Sequence, residues 1–515
     1  MKRYLLILGL AAYVILGLIT IFHHELWHEE AHGYLFARDS SDPVNLYTNL
    51  KYEGHPILWY FILFPIVHLT NSVLAMQLAH FAIAFFAVCL FVRYAPFSSF
   101  HKILFIFGYF PLFEYGVISR NYGIGELFIF LFCIFYLFRP VNYILLAIIL
   151  LFLAHTSIIG FIFAIIFGGL IVWDIYENRE ELFNSKARLV VAGLIFTFGI
   201  ITSFLKLLPP EDRSYTLDQF NFFDLRRFIM TIIMIWRGFV PVPQFTMNFW
   251  NSNILVPDLT KYSQFNSSSQ IPLLSLYPVD IILLGLAFIL SVVIFLMGVS
   301  IFHKDKKVLY VYLTGILSLL FMFYIFYYGA VRHYGFLFIL FIVCLWLLRK
   351  NKSSYSDINS SILTCLLLLN LFAGFYSAYI DIMNPFSSSK RVSEYILSNH
   401  LENNLLIGDY DTTITPISAY LNRSIYYPRS DRYGSFVVMD SKRKEMSEED
   451  LIRLSVEQIK QVKRDGVFIL NNKLKTSEIF GCKISLADSF VGSVSIADDY
   501  YLYHLKSICI NSVGY

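Results

Sequence analysis

Charge is scarce in this sequence of 515 residues: only 15% are Asp, Glu, Lys or Arg, against 57% hydrophobic, and the mean hydropathy is +0.61. A soluble globular chain of ordinary composition carries about 25% charged residues, so a soluble reading is excluded. Net charge is also small, at +3. No Lys/Arg run interleaves with aromatics to neutralise a phosphate backbone, which argues against nucleic acid as a partner. Cysteine is rare, with six in the chain. Cys89, Cys133, Cys344 and Cys365 lie inside apolar runs as small packing residues, whereas Cys482 and Cys509 fall in the polar C-terminal part and could pair if that part is extracytoplasmic. The tail has no glycine-rich phosphate loop, and no internal repeat of the kind that marks many secondary transporters is present. No small-residue cleavage site follows the first apolar stretch, 4–22. With Lys2 and Arg3 before it, and too long for a signal-peptide core, it reads as a retained span that starts in the cytoplasm.

What the chain has instead is a series of apolar runs near the length that crosses a bilayer. They fall at about 4–22, 73–92, 103–118, 122–138, 141–154, 156–173, 188–208, 279–302, 308–328, 334–348 and 361–380, roughly eleven spans. The stretch 55–70, HPILWYFILFPIVHLT, is apolar but short, holds two prolines, and carries Trp and Tyr suited to a lipid interface. Read as a non-spanning juxtamembrane helix, it leaves Lys2, Arg3, Arg93, Lys102, Arg139, Arg179, Lys186, Arg188, Lys304, Lys306, Lys307, Arg349, Lys350 and Lys352 on one side, the cytoplasmic side by the positive-inside rule. Read as a span, it inverts every later loop against Lys2 and Arg3.

Three segments then face outward: a first loop at 23–71, a middle loop at 209–278 and a tail from Asp381. The expected domains are a membrane domain at 1–380 and an extracytoplasmic α/β domain at 381–515. The tail alternates amphipathic helical patterns with β-rich segments: LLIGDY, GSFVVMD, GVFILNN and YYLYHL. The abundant aromatics, 51 Phe and 35 Tyr, read as lipid-facing and packing residues with interfacial belts.

The first outer loop opens with HHELWHEEAHGYLFARDSSD, gathering His23, His24, Glu25, His28, Glu29, Glu30, His32, Arg38, Asp39 and Asp42 just beyond the first span. Such a cluster at a membrane surface points to a site. It contains two overlapping H-E-x-x-H strings, His24 to His28 and His28 to His32, which on a helix would present two imidazoles beside a glutamate as in a zinc peptidase. No third ligand is obvious.

A longer pattern is more specific. Trp27-His28-Glu29-Glu30-Ala31, Ala37-Arg38-Asp39, Glu53-Gly54-His55-Pro56-Ile57-Leu58-Trp59-Tyr60, Ser119-Arg120-Asn121-Tyr122 and Arg332-His333-Tyr334-Gly335 together resemble the bacterial membrane glycosyltransferases of the GT-C superfamily. These are relatives of the protein O-mannosyltransferases and of the lipid A aminoarabinose transferase. The resemblance runs from Trp27 to about Gly335. It departs from the family's Asp-Glu pair at Glu29, one methylene longer.

The resemblance implies a polytopic GT-C-like fold of about eleven helices with an extracytoplasmic α/β domain. It also implies transfer of a sugar, with inversion, from a polyprenyl-phosphate donor to an extracytoplasmic glycan, lipid or protein acceptor, in the inner (plasma) membrane. Glu29 and Glu30 are the expected catalytic acids, since a positioned carboxylate that takes the acceptor's proton is worth about 10²–10⁴-fold. Arg120 and Arg332, at expected outer ends of spans, would stabilise the departing phosphate. Arg38, Asp39, His55, Tyr122, His155 and His333 complete the expected substrate-binding set. No cofactor is certain, and a divalent cation stays open.

Blander readings stand beside these: a solvated acidic loop for Glu29 and Glu30, headgroup anchors for Arg120 and Arg332, a helix cap for His55 before Pro56, and histidines satisfied between helices for His155 and His333. Arg38 and Asp39 can pair and hold the loop's shape. The rival functions are a zinc peptidase on His24, His28 and His32, and a lipid or solute transporter, for which Glu114 and Glu126 near mid-span speak.

Overall fold

The computed structural model describes residues 2–179, 186–214, 224–257, 277–349, 357–476, 478–479 and 482–507. Part of the middle loop expected at 209–278, together with Lys350, Lys352 and Cys509, lies outside the described residues. In chain order the helices are α1 (Lys2–His23), α2 (His28–Arg38), α3 (Pro43–Asn49), α4 (Leu58–Leu69), α5 (Val73–Tyr94), α6 (Ser99–Ile106), α7 (Tyr122–Leu137), α8 (Tyr143–Ala154) and α9 (Ile158–Glu177). They continue with α10 (Lys186–Leu207), α11 (Leu225–Phe239), α12 (Pro278–Phe302), α13 (Lys306–Ile325), α14 (Val331–Arg349), α15 (Asp357–Met383), α16 (Ser389–Ser398), α17 (Asp411–Leu421) and α18 (Glu448–Val462).

The chain is a polytopic α-helical membrane protein, with 8 described helices long and apolar enough to cross a bilayer: α1, α5, α9, α10, α12, α13, α14 and α15. That count is lower than the eleven expected, and the physical reasons lie in the remaining three segments. Segment 103–118 is not one helix. α6 ends at Ile106 and a π-helical turn, Tyr109–Glu114, follows, because Gly108 weakens the helix and Pro111 cannot donate a backbone hydrogen bond. α7 and α8 are apolar but only 16 and 12 residues long. α4 also has 12 residues, with Pro65 inside; at 1.5 Å per residue it reaches about 18 Å, short of the roughly 30 Å hydrocarbon core.

α14 is the axis of the membrane domain: its stretch Val331–Leu348 is buried throughout. α10, by contrast, turns Val190, Leu194, Phe198, Ile201 and Leu205 outward, the pattern of a lipid-facing helix. A separate apolar core joins α2, α3, α4 and the start of α5 through Tyr34, Leu35, Phe36, Leu46, Trp59, Tyr60, Leu63 and Met76, and takes in Ala419 from α17. α4 therefore packs as part of an outer layer rather than with the central spans.

The C-terminal part holds strands β1 (Leu405–Gly408), β2 (Ile425–Tyr427), β3 (Arg432–Gly434), β4 (Gly466–Leu470), β5 (Glu478–Ile479), β6 (Cys482–Lys483), β7 (Ser485–Phe490) and β8 (Tyr500–Leu505). Six of them form one sheet in the order β3-β2-β1-β4-β8-β7. β1 runs parallel to β2 and β4, and the other neighbours are antiparallel. Alternation along β1 decides the layering: Leu405 and Ile407 pack with Leu451, Val456 and Ile459 of α18, while Leu406 packs with Val392 of α16 and Ile414 and Ile417 of α17. The sheet is thus covered on both faces. One β-rich expectation fails: in GSFVVMD only Gly434 is in a strand, and the rest runs as a loop over α2. There His32 Nε2 lies 3.3 Å from the Val437 carbonyl and the Phe36 and Phe436 rings meet at 4.7 Å. Its apolar side chains are spent on the outer layer instead of on a ladder.

Candidate active site

The site is organised by the start of α2. The chain leaves α1 at His23 and re-enters helix at His28, which puts Glu29 and Glu30 in the first turn, where the helix dipole favours carboxylates. Successive helical residues point about 100° apart, and the two acids part accordingly. Glu30 turns inward and is fully buried. It accepts hydrogen bonds from Trp27 N at 3.1 Å and Ser119 N at 2.5 Å, and meets His24 Nε2 at 3.0 Å. His24 Nδ1 reaches Asp381 of α15 at 2.9 Å. Burial alone would lower the His24 pKa, but carboxylates on both ring nitrogens outweigh it and raise the value well above that of an ordinary imidazole. Burial pushes Glu30 up, and the His24 cation with the two backbone N–H groups brings it below the usual range. Glu30 therefore acts as a buried tie between α2, the turn before α7, and α15.

Glu29 points the other way, its side chain 31% exposed. Its carboxylate is shared by two guanidinium groups: Arg332 Nη2 donates to Oε1 at 3.0 Å and Oε2 at 3.2 Å, and Arg120 Nη2 lies 3.2 Å from Oε2. Arg120 Nη1 also donates to the Glu29 carbonyl at 2.8 Å. Burial works against ionisation of Glu29, but Arg332 and then Arg120 outweigh it and hold the carboxyl at about 2. Arg332 lies over the Trp27 ring at 4.8 Å and the Trp250 ring at 5.7 Å. Both arginines are almost fully buried, and among the described residues each keeps its Nε–H without a partner. Unspent donors on two converging cations are what an oxyanion ligand needs.

Around this trio stand His55, Tyr122 and His333. The His55 ring meets Tyr122 edge-on at 6.0 Å, and Tyr122 Oη is 2.8 Å from His333 Nε2. Ala330 N donates to His333 Nδ1 at 2.8 Å, so the His333 proton sits on Nε2 and is given to Tyr122. Burial, reinforced by Arg120, lowers His55 to about 4, and among the described residues its buried Nδ1 has no partner.

Four of the sequence-derived residues lie apart from the trio. His155 is taken up between α8 and α10, its Nδ1 2.9 Å from the Leu151 carbonyl and its Nε2 3.2 Å from Thr202 Oγ1. Arg38 and Asp39 face each other at 2.5 and 2.8 Å at the far end of α2. Nine residues from Glu29, they are about 13 Å away along the helix, and they tie the loop to Ser418 and Ser435. Glu30 is the fourth, committed to structure as described. The H-E-x-x-H strings do not converge either. His24 lies before the helix and binds two carboxylates, His28 Nδ1 meets Asp498 at 2.9 Å, and His32 is 3.8 Å from Glu53. Among the described residues no group of three His, Cys, Asp or Glu is placed to hold a metal ion.

Several neighbours escaped sequence reasoning. Trp250 comes from the middle loop and links Arg332 to Glu114, its Nε1 3.1 Å from that carboxyl. Glu114 also receives the Tyr109 hydroxyl at 2.6 Å. Asp498 arrives from the C-terminal domain. Glu53, within the sequence pattern but without an expected role, is a second carboxylate felt by Arg120, His55 and His32. Only aromatic residues in an otherwise polar outer loop hinted at Trp250, and nothing local hinted at Asp498.

Neither a protein-family model nor a curated protein matches the chain. Among solved structures it is similar to ArnT from Cupriavidus metallidurans. With ArnT bound to undecaprenyl phosphate it shares 10% identity, 97% of each chain covered and a TM-score of 0.41. With the apo state of the same protein it shares 10% identity, 98% of each chain and a TM-score of 0.42.

Proposed function

We propose that this protein is a membrane glycosyltransferase of the GT-C type that moves a sugar from a polyprenyl-phosphate donor to an acceptor hydroxyl on the extracytoplasmic face. The observation that carries the reading is the Glu29 carboxylate held between Arg332 and Arg120, at 3.0 and 3.2 Å, where the first turns of α2 and α14 meet the turn before α7. The sequence pattern around these three residues supports it.

The chemistry uses each group once. Arg120 and Arg332 bind the donor phosphate through their remaining N–H groups and offset the charge it gains as the sugar leaves. Trp27 and Trp250 fix the Arg332 plane by cation–π contact. Glu29, ionised, receives the hydrogen bond of the attacking hydroxyl and is the first to meet its proton. As the new C–O bond forms, the attacking oxygen becomes oxonium-like and strongly acidic, so even a carboxyl held at about 2 takes that proton. His55, Tyr122 and His333 stand beside the trio as neutral hydrogen-bonding groups, and the C-terminal domain presents the acceptor.

Purified protein in lipid nanodiscs, given a panel of radiolabelled polyprenyl-phosphate sugars and envelope acceptors, tests this directly. Turnover is expected with one donor, and Glu29→Gln is expected to lose about 10²–10⁴-fold with the fold kept. Silence across the whole panel, or full activity in Glu29→Gln, overturns the reading.

A further inference from the structure

A histidine from the H-E-x-x-H strings, which the transfer reading leaves unused, is the chain neighbour of the reacting carboxylate and packs on the tryptophan that carries Arg332. His28 is the residue before Glu29 and opens the same first turn of α2. Its ring lies 4.6 Å from the Trp27 ring, the surface on which Arg332 rests at 4.8 Å. Its Nδ1 is 2.9 Å from Oδ1 of Asp498, a fully buried residue of the C-terminal domain. A carboxylate can only accept, so Nδ1 carries the proton in that bond and the lone pair is left on Nε2. The ring remains 19% exposed, and among the described residues Nε2 has no hydrogen-bond partner.

Two further features show that the pair is built. Asp498 lies on a short turn, Ile496–Asp498, whose other polar bonds fix it: its N–H donates to the Ser495 carbonyl at 2.9 Å and its carbonyl accepts from Ser388 N at 3.1 Å. The His28 backbone is held from the same domain, since Thr415 Oγ1 donates to its carbonyl at 3.2 Å and Tyr420 Oη accepts from Leu26 N at 2.9 Å. An imidazole with one nitrogen oriented by a buried carboxylate and the other free is the arrangement of a general base and its orienting partner.

We propose that His28 is a second catalytic base, the group on which the acceptor's proton comes to rest, and that Asp498 is the positioning residue that makes it one. The inference rests on the transfer reading and adds the proton's destination. The acceptor O–H bond breaks as its oxygen bonds to the anomeric carbon. The bond between that carbon and the phosphate oxygen breaks, and its electron pair leaves with the polyprenyl phosphate. The proton, first met by Glu29, ends on His28 Nε2, and the resulting imidazolium is stabilised by Asp498. In this scheme the C-terminal domain completes the site as well as presenting the acceptor.

The test compares wild type, His28→Gln, His28→Ala and Asp498→Asn in the same nanodisc assay. Expected are a fall in kcat of about 10²-fold in His28→Gln with acceptor KM within about twofold, a smaller fall in Asp498→Asn, and dose-dependent recovery of His28→Ala by added imidazole. Wild-type kcat in both His28→Gln and Asp498→Asn overturns the proposal, as does a His28→Ala loss that imidazole leaves untouched while KM rises, the mark of a mere domain latch. Where His28→Ala does not fold, the kcat of His28→Gln and of the isosteric Asp498→Asn decides. Absence of turnover in the wild type overturns the transfer reading itself, whereas an active wild type with unaffected variants overturns only this assignment.

Discussion

Glu29 and Glu30 are neighbours of identical chemistry that the fold sends to opposite duties. Glu30 has no exposure and sits beside a buried imidazole, so deleting its carboxylate leaves His24 with one partner lost and two backbone N–H groups unsatisfied. Breaking a buried pair by removing one partner costs about 3–5 kcal/mol. Glu30→Ala is therefore expected to lower the melting temperature in detergent clearly while the folded fraction keeps transfer, whereas Glu29→Gln, which leaves the buried Arg120 and Arg332 without their shared anion, is expected to melt lower as well and to lose transfer even in the fraction that stays folded. A folded Glu30→Ala fraction that loses transfer as fully as Glu29→Gln would show that the division of labour is wrong.

At the scale of elements, the position of Arg332 depends on how closely α11 rides over the first turn of α14. Gly238 makes that approach possible: a Cβ there would collide with the Tyr334 carbonyl, a backbone atom that cannot swing aside. Arg237 of the same helix lies over the Tyr334 ring at 5.0 Å. Overpacking of this kind costs about 1–3 kcal/mol. Gly238→Ala is expected to reduce thermal stability by that amount and, because Tyr334 is two residues from Arg332, to weaken transfer as well. A Gly238→Ala protein with wild-type melting and activity would show that the two helices have slack.

For the whole molecule, the proposed mechanism requires the α2 layer and the C-terminal domain to lie outside, with the basic loops inside. Ser441 of the C-terminal domain and Lys304 between α12 and α13 are both exposed. In a cysteine-free background, Ser441→Cys is expected to react with a membrane-impermeant maleimide in intact cells, and Lys304→Cys only after permeabilisation. The reverse pattern would place the Glu29 site in the cytoplasm. The membrane character was legible from hydropathy because a bilayer demands apolar length of each span separately. Three of the eleven expected runs did not come out as single long helices, because hydropathy ignores Pro111, which breaks one run, and does not fix helix length, which is 16 residues in α7 and 12 in α8.

The sequence by itself determined the membrane class, the places where acids and guanidinium groups sit at the edges of spans, and the α/β character of the tail, since all three are properties of local composition and period. Only the tertiary structure decided which acid faces the cations, that His155, Arg38 and Asp39 serve other contacts, and that Asp498, 470 residues from His28, joins the site. The physical reason is that side-chain direction on a helix changes by about 100° per residue, and long-range contacts leave no mark on local pattern. Which of two adjacent glutamates meets a guanidinium is therefore settled by packing alone.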